Sequence, residues 1–453
     1  MKKNKKRILS IPKNHIPIGE EQETFLGEVV KIGKDLLAKV ESKEGFFYVR
    51  GLNLGDQVEF TKLSRGNSHR FQVAKAYFNS DRSSVFCKEF LVCGGCSGQH
   101  LGDAEWSLKT QPIQTAISEQ YQIASSLNSA YQRKNYRNRM DFVAFDGRHL
   151  GLRGQGSFKK LVDLSECHLD SKISFRERER IRALLEEFPL GHNRTTREGI
   201  LKYATIRVGV NTGDSIVILN WIESSKNSQE RKIFLERFLE VSESANVINC
   251  YSKMESEVST SKDFEVVRGN SFYKEKILDA EFTVPYDGFF QPNPIGFTKI
   301  LLDIQNTLEK WKVSDANLLD LFCGSGFFSK FFHQKFKKVL GVDSNLSSIR
   351  EANSLEIGKF LCMDLVREDL VLDEGNWIGI LDPPRAGLGK RVVQAIANYP
   401  MEFLFYVSCN PYSQLEDLKE LKASYDLQSY HLYDLYPGTP HLESLAILKR
   451  KTI

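Results

Sequence analysis

From residue 286 onward, short apolar runs alternate with helical stretches, and this alternation restricts the fold more than any other feature of the chain. Strands are predicted over 317–322, 338–343, 360–364, 377–382 and 403–409, and helices over 327–336, 346–357, 390–398 and 412–422. Strands separated by helices in this way form a parallel sheet covered by crossover helices, the Rossmann-like α/β class. Ahead of the first strand, Phe297, Ile300, Leu301, Ile304 and Leu308 mark the apolar stripe of one more helix. Late strands over 428–435 and 444–449 complete the sheet as a hairpin.

The first strand runs into Phe322-Cys323-Gly324-Ser325-Gly326. Glycines at this edge let the backbone approach a ligand closely. The phosphate-loop ending Gly-Lys-Ser/Thr is missing, and so is the third glycine of a dinucleotide fingerprint. A tight structural turn explains a lone Gly-x-Gly equally well. The second strand ends at Asp343, where a carboxylate can accept from two ribose hydroxyls or serve as a helix cap. The third ends at Asp364, placed to meet an adenine amino group. In this order, at successive strand ends, the three elements describe an S-adenosylmethionine site.

Two further regions precede this one. Five short strand-like pieces, 26–32, 36–41, 46–50, 57–62 and 70–78, suggest a small closed β-barrel of the OB type over residues 21–80, either a single-stranded nucleic-acid binder or a plain structural module. Residues 81–285 read as mixed α+β, with strands over 141–145, 205–210 and 215–220 and a helix over 175–188. The whole chain of 453 residues is 41% hydrophobic and 26% charged, a globular mix with no run long enough for a membrane span. Residues 1–20 form a basic tail with five Lys or Arg in the first seven residues; Pro12 and Lys13 interrupt the apolar stretch behind it, so no export segment is expected. The net charge of +4 is mild, so a nucleic-acid partner has to be read from local patches: this tail, and Arg133, Lys134, Arg137 and Arg139 interleaved with Tyr131 and Tyr136. Either patch alone is equally a solvated face. Eight cysteines without an export signal argue against a disulfide scaffold, and four of them, Cys87, Cys93, Cys96 and Cys167, have a spacing that asks for a metal or an iron–sulfur cluster.

The fourth strand ends in Asp382-Pro383-Pro384-Arg385, the fifth in Ser408-Cys409-Asn410-Pro411, and the last begins after Pro440-His441-Leu442-Glu443; Phe289-Phe290-Gln291-Pro292-Asn293 lies upstream. This set resembles the RNA uracil-5-methyltransferases over nearly the whole chain, and the quartet with Cys-Gly-Gly-Cys-Ser-Gly-Gln-His at 93–100 looks like their iron–sulfur subgroup. The resemblance implies a class I methyltransferase domain over 286–453, a TRAM-like barrel, and a central RNA-recognition domain carrying a 4Fe–4S cluster, with zinc the less favoured occupant. The barrel and cluster are most like the branch acting on uridine 1939 of 23S ribosomal RNA, with transfer RNA the alternative target.

Carbon 5 of uracil is a poor nucleophile. A thiolate added at carbon 6 makes it electron-rich, and a base must later remove its proton, so the chemistry needs one activated cysteine and one separate carboxylate. The resemblance makes Cys409 the nucleophile and Glu443 the base, puts Asp382 between cofactor and nucleobase, and assigns Gln291, Phe322, Gly324, Gly326, Asp343, Asp364 and Asp382 to S-adenosylmethionine. Asp-Pro-Pro also resembles the motif of amino-methylating enzymes, but Arg385 replaces their stacking aromatic residue. Phe327 departs from the family, which often has Asn there, so its side chain cannot supply that hydrogen bond. The expected protein is a cytoplasmic monomer that binds RNA in a salt-sensitive way and has no membrane partner. The competing class is a non-catalytic RNA-binding protein of ribosome assembly.

Overall fold

The computed structural model describes residues 8–9, 11, 23–65, 68–79, 83–130, 132–156, 159–399 and 401–452. Most of the basic tail over 1–20 and Tyr131 of the basic–aromatic stretch lie outside the described residues. The chain divides into two compact units: Met1–Pro112 with Leu150–His168 and Tyr436–Pro440, and Ile113–His149 with Leu169–Leu435 and His441–Ile453.

In the first unit, Glu23–Ile32, Leu37–Ser42, Gly45–Arg50, Gln57–Arg65 and Ser68–Tyr77 form a curled, barrel-like sheet. Alternate residues point inward, as the period of two demands, and Phe25, Val29, Val40, Phe47, Val49, Val58 and Phe60 fill the interior. Ile8–Leu9 adds a sixth strand, parallel to Gly45–Arg50. The expected closure is absent among the described residues: no ladder joins the two edge strands of the order. Phe47 meets Phe71 edge-on at 5.0 Å across the interior, between strands that share no ladder, and Phe25 stacks on its ladder partner Phe60 at 5.3 Å. The antiparallel pair His149–Arg153 and Leu161–Asp163 faces the cysteine loop, where Cys93 bridges to Gly154.

The second unit is built on an eight-stranded sheet. Lys359–Cys362, Val339–Asp343, Asn317–Leu321, Trp377–Leu381 and Met401–Ser408 run parallel in that spatial order. Glu443–Arg450 is inserted antiparallel between Met401–Ser408 and Tyr425–Tyr433. The C-terminal hairpin is therefore present, with its last strand innermost. That strand is the more apolar of the two, and six of its eight residues are buried. Ser125–Asn128 forms an outer eighth strand that the sequence reading missed, parallel to Tyr425–Tyr433. Its four residues, Ser-Ser-Leu-Asn, carry no periodic signal.

Helix Pro294–Lys310 buries the foreseen stripe from Phe297 to Leu308, and Asn293 caps it by accepting from the Gly296 amide at 2.9 Å. A second sheet orders Arg139–Phe145, Leu201–Val208, Ser215–Ile222, Asn246–Ser252 and Phe264–Arg268. Its three middle strands are buried along their whole length, including polar residues such as Arg207, Asn220 and Asn249. Helix Lys172–Glu187 is capped by Ser171 and buries Ile181, Leu184 and Leu185 as expected. Among the described residues no helix is long and apolar enough to cross a membrane.

Candidate active site

The carboxyl ends of the parallel strands lead into Phe322, Gly324, Gly326, Asp343, Asp364, Asp382 and Cys409, while Gln291 precedes helix Pro294–Lys310 and Glu443 opens the antiparallel strand. After Asn317–Leu321 the chain turns sharply at Phe322, whose φ of 62° is left-handed for a side-chain-bearing residue. Gly324 at φ 54° and Gly326 at φ 83° continue the turn into helix Phe327–Phe332. A Cβ at Gly324 would meet no atom within 4 Å, so this face of the turn opens onto free space.

Asp343 accepts from the Gly324 amide at 3.0 Å and the Asn345 amide at 2.8 Å, joining the first loop to the second. Each of its oxygens keeps a lone pair for a ligand. Asp364 lies beyond the third strand, which ends two residues earlier at Cys362. Its carboxylate accepts from the Val366 amide at 3.0 Å and pairs with Arg367 at 3.3 Å, so it shapes its own turn. Gln291 is buried, and its carbonyl accepts from Asn138 at 2.9 Å. The Phe327 ring stacks on Phe282 at 5.1 Å and meets Phe290 edge-on at 5.6 Å. Where an Asn would hydrogen-bond, an aromatic cluster supports the Gln291 segment.

Sequence reasoning missed Asp320, which is fully buried in the middle of the sheet. One of its oxygens accepts from the Ser329 amide and hydroxyl at 3.0 and 2.6 Å; the other, Oδ1, has no hydrogen-bond partner among the described residues. Burial, with Asp343 adding to it, pushes this carboxyl up to about 7. Asp382 is likewise pushed up to about 7, by burial first and by Asp320 second. Its position within an apolar strand marked Asp320 as interior, but nothing in the sequence marked the orphaned oxygen.

Cys409 follows Met401–Ser408 directly and precedes helix Pro411–Leu421. Ser408 pairs with Ser444 at the end of the antiparallel ladder; Cys409 is the next residue along one strand and Glu443 the residue before Ser444 on the other. Both feel Asp382 and Arg385. The Cys409 thiol is pushed up by burial, then by the Glu443 and Asp382 carboxylates, while Arg385 opposes the shift by charge and by a hydrogen bond. Glu443 is buried and held well above the ordinary carboxylate range by burial and by Asp382. Arg385 also donates to His441 Nδ1 at 2.7 Å.

A buried polar scaffold beneath these residues fixes both loops. Asp417 accepts from the Tyr406 hydroxyl at 2.6 Å and the Leu388 amide at 2.8 Å, which ties helix Pro411–Leu421 to the Asp-Pro-Pro-Arg loop. Gln414 accepts from Tyr430 and Ser444 and donates to the Tyr406 carbonyl. Asn410 donates to the Arg385 carbonyl at 2.8 Å. The arrangement brings a thiol, two carboxyl groups that favour their protonated forms, and one guanidinium to a single sheet edge beside an open glycine turn.

The family described as "tRNA (Uracil-5-)-methyltransferase" matches residues 362–451, the segment that holds Asp382, Cys409 and Glu443. An "Uncharacterized RNA methyltransferase" of Leptospira interrogans is 39% identical over 381 residues, covering 81% of this chain and 83% of its own. The chain belongs to the RNA uracil-5-methyltransferase family. A second relative of this methyltransferase, a Pyrococcus horikoshii protein named "tRNA (uracil(54)-C(5))-methyltransferase", is 29% identical over 401 residues, 87% of this chain and 93% of its own. The crystal structure of the Pyrococcus abyssi tRNA (uracil-54, C5)-methyltransferase with S-adenosyl-L-homocysteine shares the fold: its TM-score is 0.73 at 23% identity, over 93% of this chain and 99% of the other.

The cysteine quartet of the methyltransferase lies wholly in the first unit. Burial raises the Cys93 and Cys96 thiols, to about 11 and about 12; both feel Cys87 and Cys167, and Cys96 also feels Cys93. Yet among the described residues no group of three or more His, Cys, Asp or Glu side chains is gathered closely enough to hold a metal ion. None of the expected ligands Cys87, Cys93, Cys96 and Cys167 is in a disulfide. Cys93 Sγ accepts from the Gly95 amide at 3.4 Å. A buried thiol keeps its proton when nothing positive stands beside it.

Proposed function

We propose that this protein methylates carbon 5 of a uridine in RNA through a transient bond between Cys409 and carbon 6 of the base. What supports this reading is that Cys409 lies within electrostatic reach of Glu443, with Asp382 and Arg385 in reach of both. Bound S-adenosylmethionine supplies an electrophilic methyl group on a sulfonium. Gly324 and Gly326 would give its backbone contacts, Asp343 and Asp364 its nucleoside contacts, and Gln291, Phe322 and Asp382 would line its methionine end. The open face of Gly324 leaves room for a ligand at this edge.

In the reaction, Arg385 favours the Cys409 thiolate, whose sulfur adds to carbon 6 and drives electrons to carbon 5. Carbon 5 takes the methyl group. Glu443 then removes the remaining proton from carbon 5, the electron pair restores the ring double bond, and the carbon–sulfur bond breaks to free Cys409. Asp382 stands beside the ring, and Glu443 acts as the base only in its carboxylate form, after it has given up the proton that burial favours. A duplex hides the base, so the target uridine lies in a loop or is flipped out.

In this reading the domains are the basic tail, the TRAM-like barrel, a central RNA-recognition domain and a catalytic domain from residue 286. The barrel and the cysteine quartet favour a uridine of 23S ribosomal RNA. A transfer RNA uridine is the second reading, favoured by the names of the Pyrococcus relatives. Mapping 5-methyluridine in ribosomal and transfer RNA from cells with and without the gene tests both. Rescue by the intact gene but not by Cys409→Ala is expected, and a Cys409→Ala variant that restores the mark rejects the mechanism. The quartet is assigned a structural 4Fe–4S cluster, or failing that zinc. Iron, acid-labile sulfide and zinc analysis of anaerobically purified protein decides this, and finding none of the three withdraws the assignment.

A further inference from the structure

Gln291 is only 8% exposed, yet among the described residues its side-chain amide has no hydrogen-bond partner. A largely buried amide is costly when nothing pairs with it, and such a group suits a site where a ligand completes the pairing. The backbone at this residue is, by contrast, firmly held.

The grip comes from Asn138, which is 2% exposed and lies immediately ahead of strand Arg139–Phe145. Its side-chain amide donates to the Gln291 carbonyl at 2.9 Å, and its backbone amide donates to the Pro292 carbonyl at 3.1 Å. Its own carbonyl accepts from the Val208 amide at 2.8 Å. One residue therefore holds two consecutive carbonyls and is itself tied to the central sheet. Pro292 has no N–H to offer and restricts the backbone of Gln291. On the far side, Asn293 donates to the Leu435 carbonyl at 2.9 Å. At the start of the connecting segment, the buried Arg207 donates to the Pro285 and Tyr286 carbonyls at 2.7 and 2.8 Å. All these residues belong to the second compact unit.

The two backbone bonds of Asn138 already join the segment to the sheet. What the side-chain bond adds is the orientation of the peptide plane between Gln291 and Pro292, and the direction of the Gln291 side chain follows from that plane. A group that binds a ligand loses much of its value when it is aimed even slightly wrong.

We propose that Asn138 is a positioning residue for Gln291: by holding the Gln291 and Pro292 carbonyls together, it aims the Gln291 side-chain amide at the methionine end of S-adenosylmethionine. The proposal rests on the reading of Gln291 as a cofactor contact and leaves the roles of Cys409 and Glu443 untouched. It requires that Asn138 act on the cofactor through Gln291. A residue that merely supports the fold would lower cofactor affinity whether or not Gln291 keeps its side chain.

The test is a double-mutant cycle on the full chain, read as the dissociation constant of S-adenosylmethionine by calorimetry. Gln291→Ala is the reference and should weaken binding about tenfold, as loss of a hydrogen bond to a charged ligand does. Asn138→Leu, close to asparagine in volume, should weaken it about threefold to tenfold. The combined variant should bind no more weakly than Gln291→Ala alone, because the misdirected side chain is then already gone. Asn138→Ala adds no bulk and gives the same comparison if Asn138→Leu packs badly. If the losses of the two single variants multiply in the combined variant, or if the Asn138 variants bind the cofactor like the parent, the positioning role is overturned. If Gln291→Ala itself binds normally, the assignment of Gln291 to the cofactor falls and the proposal with it, while the Cys409→Ala rescue in cells still decides the methylation reading.

Discussion

Cys409 stands among three charged groups, of which two oppose its ionisation. Glu443 and Asp382 add to burial in pushing the thiol up, and Arg385 alone pulls it down. Replacing Arg385 by Met should therefore cut methyl transfer near neutral pH by about tenfold, a shift of roughly one pKa unit in the nucleophile. The loss should shrink as pH rises, because hydroxide then supplies the thiolate that Arg385 no longer favours. A rate–pH profile of the variant against the parent checks this, and a uniform loss at all pH values excludes it. Asp320 and Asp382 make a second prediction. Both carboxyl groups are pushed up to about 7, so the fold favours their protonated forms. The stability they contribute is complete below the ordinary carboxylate range and is lost as pH rises through about 7. Thermal melts of the ligand-free protein should thus shift downward from pH 5 to pH 8, and Asp382→Asn should flatten that slope.

At the scale of elements, the strand ends and the helices on them are held by side chains from the next element along. Tyr406→Phe would leave a buried oxygen of Asp417 with one donor fewer and should destabilise the protein by about 1–3 kcal/mol in denaturant melts. Phe327→Ala would empty the centre of the cluster formed with Phe282, Phe290 and Phe297; for a half-buried ring we expect a loss of about 2–3 kcal/mol. The parallel strands and their helices were legible because each is a short apolar run closed by Gly, Asp or Pro. Asp343 was legible through its place at a strand end, whereas the nearness of Cys409 to Glu443 was not legible from spacing, since it depends on the last strand sitting innermost. The outer strand Ser125–Asn128 and the Gln414–Ser444–Tyr430 network were not legible. Their partners lie far away in the chain, and polar residues of this kind look the same on a surface as in a core. The cysteine spacing was clear, but spacing fixes neither the separation of the thiols nor what they hold.

For the whole molecule, charge is the property that bears on RNA. The net charge of +4 is too small to gather RNA by itself, so binding rests on local cations that neutralise a few phosphates. Raising salt from 50 to 200 mM should then weaken RNA binding by about tenfold to a hundredfold, the effect of three or four released counterions on single-stranded RNA. A filter-binding series in which affinity does not change with salt would remove that expectation.

The outer strand also constrains how the protein is made. Asn128 donates to Leu432 across 304 residues of sequence, so the edge that receives Ser125–Asn128 does not exist until the ribosome has added those residues. At about 5–20 residues per second, that segment waits some 15–60 s for its partner. During this interval its unpaired amides and the forming sheet need protection from neighbouring chains, which makes chaperone supply during synthesis a determinant of soluble yield.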